Sequence, residues 1–145
     1  MQTLLLVAVG GATGAVMRYL LGAQALRAFG AGWPYGTLIA NVLGGLLMGA
    51  LVAVLAARGG PDQEKWRLLL GVGVLGGFTT FSTYAVQSHE LVRSGHPVLA
   101  MAYLGGTVLA ALLAVVAGVM LVRRLAGRRR RTGPATGASD GGRLT

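Results

Sequence analysis

Carboxylates are the scarcest chemistry in this sequence. Only four acidic residues occur, Asp62, Glu64, Glu90 and Asp140, and all fall outside the long apolar runs. A carrier that couples transport to protons needs a titratable group at membrane depth. None is available here, because the two histidines, His89 and His96, are expected to share one polar connection. This weighs against a proton antiporter, including a four-helix exporter built around a buried glutamate. Cysteine is absent, which removes disulfides and thiolate metal sites. Two histidines alone leave little for zinc. Charged residues make up 12% of the chain, against roughly 25% in an ordinary soluble domain. No nucleophile, base and orienting group stand together, so an enzyme is not expected.

What the chain has instead is apolar length. Hydrophobic residues reach 54%, and the 25 glycines follow no Gly-X-Y period. Glycine scattered through apolar runs suits helices that pack closely in lipid. Four such runs occur, at about 3–22, 35–57, 66–87 and 98–122. Each is close to the ~20 residues that carry a helix across the hydrocarbon core. Within lipid the backbone must satisfy its own hydrogen bonds, so each is expected to be helical. Pro34 stands at the start of the second run, where proline is tolerated. The first run lacks a basic leading segment and a small-x-small cleavage site, and reads as a span rather than a removed signal peptide. The expected organisation is one four-helix transmembrane domain over residues 1–125, followed by a basic, disordered tail over 126–145. From Thr132 onward that tail is mostly Gly, Thr, Ala, Ser and Pro.

The net charge of +9 would suit nucleic acid if it were spread over a folded surface. It is not: six of the thirteen basic residues fall between Arg123 and Arg131, directly after an apolar run. That placement reads as an anchor on anionic lipid headgroups, not as a nucleic-acid site. With four spans, Arg58, Lys65, Arg67 and the arginines from Arg123 onward share one side, and Arg27 and Arg93 the other. The positive-inside rule then predicts both termini, and the tail, in the cytoplasm.

Polar residues inside the runs are few and grouped. On the second run Thr37, Asn41, Gly45 and Gly49 recur every four residues and share a helix face. Asn41 could be interhelical glue or a donor to a ligand. Tyr103 and Thr107 are also four apart, either as a stray aromatic with a self-bonded threonine or as part of a polar track. Arg18, expected near the end of the first helix, could snorkel to the interface or serve as a cation at the mouth of an anion path, with Gly14 and Gly22 leaving room beside it. The strongest signal is in the third run. Gly71, Gly73, Gly76 and Gly77 weaken the helix, and Thr79, Thr80, Ser82 and Thr83 then place four hydroxyls in five positions. A broken helix is expected there, exposing carbonyls that are tolerated at membrane depth only against protein, water or an ion. Phe81 and Tyr84, three apart, can present positive ring edges on one face.

The segment GGFTTFSTY (76–84), with GGATGAVMRY, GTLIANVLGG and the Tyr103/Thr107 pair, resembles the signature of the Fluc (CrcB) family of fluoride channels over about residues 5–122. The resemblance implies an all-α integral membrane protein whose four-helix subunits, each with a broken third helix, assemble as an antiparallel dimer. It implies passive fluoride efflux across the cell membrane that lowers cytoplasmic toxicity. By position, Asn41, Phe81, Ser82, Thr83, Tyr84, Tyr103 and Thr107 would form the fluoride pathway, and Arg18 its vestibule. Tyr84 stands where phenylalanine is common in the family, and adds a hydroxyl. The carbonyls of Gly76 and Thr79 would hold a structural sodium ion at the dimer interface.

The implied mechanism exchanges the tight hydration of fluoride for short, charge-assisted hydrogen bonds. A secondary transporter for a small cation or drug is the alternative, disfavoured by the missing membrane carboxylate. A pure packing protein leaves the clustered hydroxyls, amide and aromatics unexplained. The basic residues are divided ten against two or three between the two sides. A homodimer of opposed copies is expected if the late C-terminal charges do not control insertion. Otherwise a heterodimer forms with an oppositely oriented paralogue.

Overall fold

The computed structural model describes residues 1–131, in which every regular element is helical and no strand occurs. The elements are α1 (Gln2–Phe29), α2 (Tyr35–Arg58), the short α3 (Gln63–Trp66), a wider π-helical stretch π1 (Arg67–Leu75), α4 (Gly76–Phe78), α5 (Ser82–Arg93) and α6 (Pro97–Arg131). Four stretches are long and apolar enough to cross a membrane: Thr3–Phe29, Tyr35–Arg58, Gln63–Arg93 and Pro97–Gly127.

Helix ends lie beyond the apolar runs. α1 continues through Gln24 and Arg27 to Phe29 and stops at Gly30, whose φ of 76° with ψ −174° is a backbone conformation open chiefly to glycine. α2 ends the same way at Gly59, with φ 60°. Polar residues near an end remain good helix formers, so helical hydrogen bonding outlasts the hydrophobic signal. His89 is therefore on α5, and only His96 lies in the connection to α6. At 35 residues α6 is about 52 Å long, well beyond the ~30 Å hydrocarbon core. Its helix includes residues 126–131, which were expected to begin the tail. The disorder expected from Thr132 onward lies outside the described residues.

Two glycine seams hold the bundle. α1 packs on π1 and α4. A β-carbon on Gly10 would lie 2.6 Å from the Leu69 carbonyl oxygen, one on Gly14 would strike the Val74 carbonyl, and one on Gly77 the Gly11 carbonyl. α2 packs on α6. A β-carbon on Gly45 would lie 2.7 Å from the Ala111 carbonyl oxygen, and one on Gly49 would strike the Val115 carbonyl. Where no hydrophobic force draws helices together, such backbone proximity supplies the packing. The outer faces carry Leu4, Leu5, Val9, Leu109, Leu112 and Leu113, all exposed.

Between α4 and α5 the helical run is interrupted. α4 ends at Phe78, Thr79 is extended (φ −83°, ψ 158°), and helix resumes at Ser82. Thr79 folds back on the preceding turn: its N–H and its hydroxyl both donate to the Leu75 carbonyl, at 3.0 and 2.9 Å.

Candidate ion pathway

Asn41 ties α2 to the interruption. Its Oδ1 accepts the Thr80 N–H at 2.9 Å, and its Nδ2 donates to the Thr80 carbonyl at 3.0 Å. The single amide thus satisfies both backbone groups of Thr80, which the lost helix leaves open. One N–H of Nδ2 remains. The two readings of Asn41 are therefore not exclusive, since it is interhelical glue with a donor to spare.

Thr80 is a hub that the candidate residues from the sequence do not include. Its hydroxyl accepts the Thr83 N–H at 3.2 Å, covering an open amide at the start of α5. It also donates to Thr83 Oγ1 at 3.2 Å and meets Ser82 Oγ at 3.3 Å. A hydroxyl has one hydrogen. With that of Thr80 directed to Thr83, Ser82 is the donor in its contact and Thr83 keeps its own hydrogen. The Thr80-x-x-Thr83 spacing is the local signal that could have found this.

Arg18 is not near a helix end. α1 runs on to Phe29, so Arg18 lies well inside the span. It is part buried, and its Nε donates to the Gly77 carbonyl at 3.2 Å, one residue before α4 ends. A guanidinium there meets the negative end of a helical stretch. The expected space beside it exists on one side only: Gly22 lines a cavity, whereas Gly14 is packed against Val74.

That cavity, about 740 Å³, lies among α1, the start of α2 and α5. Arg18, Thr37, Thr83, Gln87 and Glu90 supply its polar lining. A second, of about 390 Å³, lies on the other side of the interruption and is lined by Asn41, Thr79, Thr80, Phe81, Tyr84 and Thr107 among apolar residues. Tyr84 and Tyr103 are buried between them, ring centroids 5.3 Å apart. The Tyr84 hydroxyl donates to the Leu104 carbonyl at 2.7 Å, and that of Tyr103 to Gln87 Oε1 at 3.1 Å. The Tyr103 ring meets Trp33 edge-on at 5.7 Å. Phe81 stacks at a tilt on Tyr84, 5.6 Å away, yet is 77% exposed in the single chain. Thr107 is 3% exposed and its hydroxyl has no hydrogen-bond partner.

Gly76 and Thr79 flank the end of α4. Among the hydrogen bonds of the described residues, neither carbonyl receives a donor: the Thr80 N–H that would reach Gly76 goes to Asn41, and the Thr83 N–H that would reach Thr79 goes to Thr80. Unpartnered carbonyl oxygens at an unwound stretch are suited to a small hard cation. No cluster of three His, Asp or Glu side chains occurs among the described residues.

All seven candidate pathway residues and both carbonyl residues thus lie around one interruption, with Arg18 bonded to its edge. Thr37, the first residue of the four-residue face on α2, belongs to the same neighbourhood, as do Gln87 and Trp33, which were not singled out by the sequence.

The model for CrcB-like proteins (Camphor Resistance, CrcB) matches residues 5–119. A protein of Phenylobacterium zucineum named fluoride-specific ion channel FluC is 58% identical over 125 residues, covering 86% of this chain and 98% of its own length. One of the same name from a Caulobacter species is 53% identical with the same coverage. Another, from Chloroflexus aurantiacus, is 44% identical over 127 residues, covering 88% of this chain and all of its own. With this extent of match, the chain belongs to the CrcB family of membrane proteins.

Proposed function

We propose that the protein is a fluoride channel of the cell membrane, giving passive efflux that lowers cytoplasmic fluoride. The observation that carries this is the pair of cavities beside the Thr79–Phe81 interruption, each with a few polar side chains among apolar ones and with donors left over. The names of the relatives point the same way.

Fluoride is small and strongly hydrated, so it crosses only where short hydrogen bonds replace water. It enters the larger cavity, drawn by the Arg18 cation, where Thr83 has a hydrogen to give. Beyond the tyrosines, the second Asn41 N–H, the Thr107 hydroxyl and the ring edges of Phe81 and Tyr84 take over. None of these groups is a carboxylate or an imidazole, so the route is built without a protonation cycle. Glu90 lines the larger cavity as an exposed residue, and no carboxylate lies at the interruption itself, which disfavours a secondary transporter.

The third span acts as a broken helix in a dimer of opposed copies. The bare Phe81 ring and the groove beside it form an apolar face that a second copy would cover. Gly76 and Thr79 carbonyls would hold a sodium ion, which supplies a fixed positive charge near the anion route. A homodimer is favoured over a pair with a paralogue, because without the residues after Val122 the basic residues of the two sides are nearly balanced. In the copy whose orientation follows the basic bias the tail lies in the cytoplasm; the tail of the opposed copy lies on the other side.

Expression in cells stripped of their own fluoride exporter is the test. Growth on fluoride medium should be restored; continued sensitivity with the protein present in the membrane would remove the proposal.

A further inference from the structure

Tyr84 and Thr107 are joined through one carbonyl. A threonine hydroxyl within a helix ordinarily bonds the carbonyl three or four residues earlier. For Thr107 on α6 these belong to Leu104 and Tyr103. A carbonyl oxygen has two lone pairs. On α6 the Leu104 oxygen serves the helical N–H four residues on, and its remaining lone pair is taken by the Tyr84 hydroxyl at 2.7 Å. Thr107 Oγ1 is left buried and unpartnered, in the lining of the cavity that Asn41, Phe81 and Tyr84 share.

We infer that Tyr84 is a positioning residue: by filling the Leu104 carbonyl, its hydroxyl withdraws one of the two carbonyls that Thr107 could bond on its own helix and so favours a Thr107 hydroxyl free to donate to an anion in the groove. An unpaired buried hydroxyl is costly. That cost is recovered when an anion arrives, so a phenylalanine at position 84 and a tyrosine there are not equivalent in this chain. The inference rests on the channel reading for its transport consequence, but not for its geometry.

The test uses the full chain with Tyr84→Phe, Thr107→Val and both together, each reconstituted in liposomes loaded with fluoride. Each single change should slow efflux roughly tenfold or more, the size of one hydrogen bond to a charged group. The double variant should be no slower than Thr107→Val. Effects that multiply in the double variant would show that Tyr84 acts independently of Thr107 and overturn the inference. A second measurement needs no fluoride: the Thr107 χ1 population, read from three-bond couplings of its methyl carbon in detergent micelles. Tyr84→Phe should shift it toward the rotamer that bonds the Leu104 carbonyl; an unchanged population overturns the inference. Wild-type liposomes that hold their fluoride would defeat the channel reading instead, and the NMR result would still decide the geometry. Unaltered elution and thermal unfolding of Thr107→Val, which keeps the side-chain volume, establish that the fold is retained.

Discussion

Replacing Asn41 by leucine is the perturbation whose magnitude follows most directly from the geometry. The amide makes two hydrogen bonds to Thr80, at 2.9 and 3.0 Å, and these are the partners the Thr80 backbone has at the interruption. Leucine keeps the volume and removes both. A buried backbone group stripped of its partner costs about 1–3 kcal/mol. Thr80 is only part buried, so the lower half of that range applies, giving about 2–4 kcal/mol for the pair. That is enough to let the Thr79–Phe81 backbone shift to other partners. The Thr80 hydroxyl would move with it, and with it the contacts to Ser82 and Thr83. The thermal unfolding midpoint in detergent should fall and fluoride efflux from liposomes should drop at least tenfold. Asn41→Asp keeps the acceptor for the Thr80 N–H and loses the donor to its carbonyl, so its unfolding midpoint should lie between those of wild type and Asn41→Leu. A leucine variant that melts like wild type and passes fluoride at the same rate would refute the assignment of Asn41 as the clamp.

Gly49→Val and Gly14→Val should yield little folded protein, because each β-carbon would meet a carbonyl of the neighbouring helix; a normal, monodisperse elution profile would contradict the two seams. Arg18→Gln should slow efflux, and Arg18→Lys should recover only part of it, since lysine restores the charge but not the planar Nε donor to Gly77; equal rates for lysine and arginine would leave charge alone as its role. Exchanging sodium for a large organic cation during purification should weaken the dimer and lower the flux, read by elution and electrode; indifference to sodium would remove the ion from Gly76 and Thr79. A C-terminal tag labelled from each side of intact cells should be reached from both; a single orientation together with active transport would point to a partner of opposite orientation.

Much of this architecture is legible along the chain. Four spans follow from apolar length, and the interruption from glycines followed by hydroxyls at Gly76–Thr83. Asn41, Thr80, Phe81, Tyr84 and Thr107 line one cavity beside that interruption. What the sequence hides are bonds between side chains and distant backbone. Asn41 and Thr80 are 39 residues apart, Arg18 and Gly77 59 apart, and no periodicity records such pairs. The Thr37–Asn41–Gly45–Gly49 face also divides in a way spacing does not reveal. Its first half points polar groups at the interruption and cavities, and its second half is pressed against α6. The α1 end was misjudged because Gln24 and Arg27 dilute hydrophobicity without ending a helix, and that error moved Arg18 from mid-helix to the interface.

The central claim, passive and selective passage of fluoride, is tested most directly with purified protein in liposomes loaded with equal fluoride and chloride, each followed by its own electrode. Fluoride should leave as soon as an ionophore balances the charge, with no pH gradient supplied, while chloride stays inside. Retention of fluoride, release of both halides alike, or release only under a proton gradient would contradict the account.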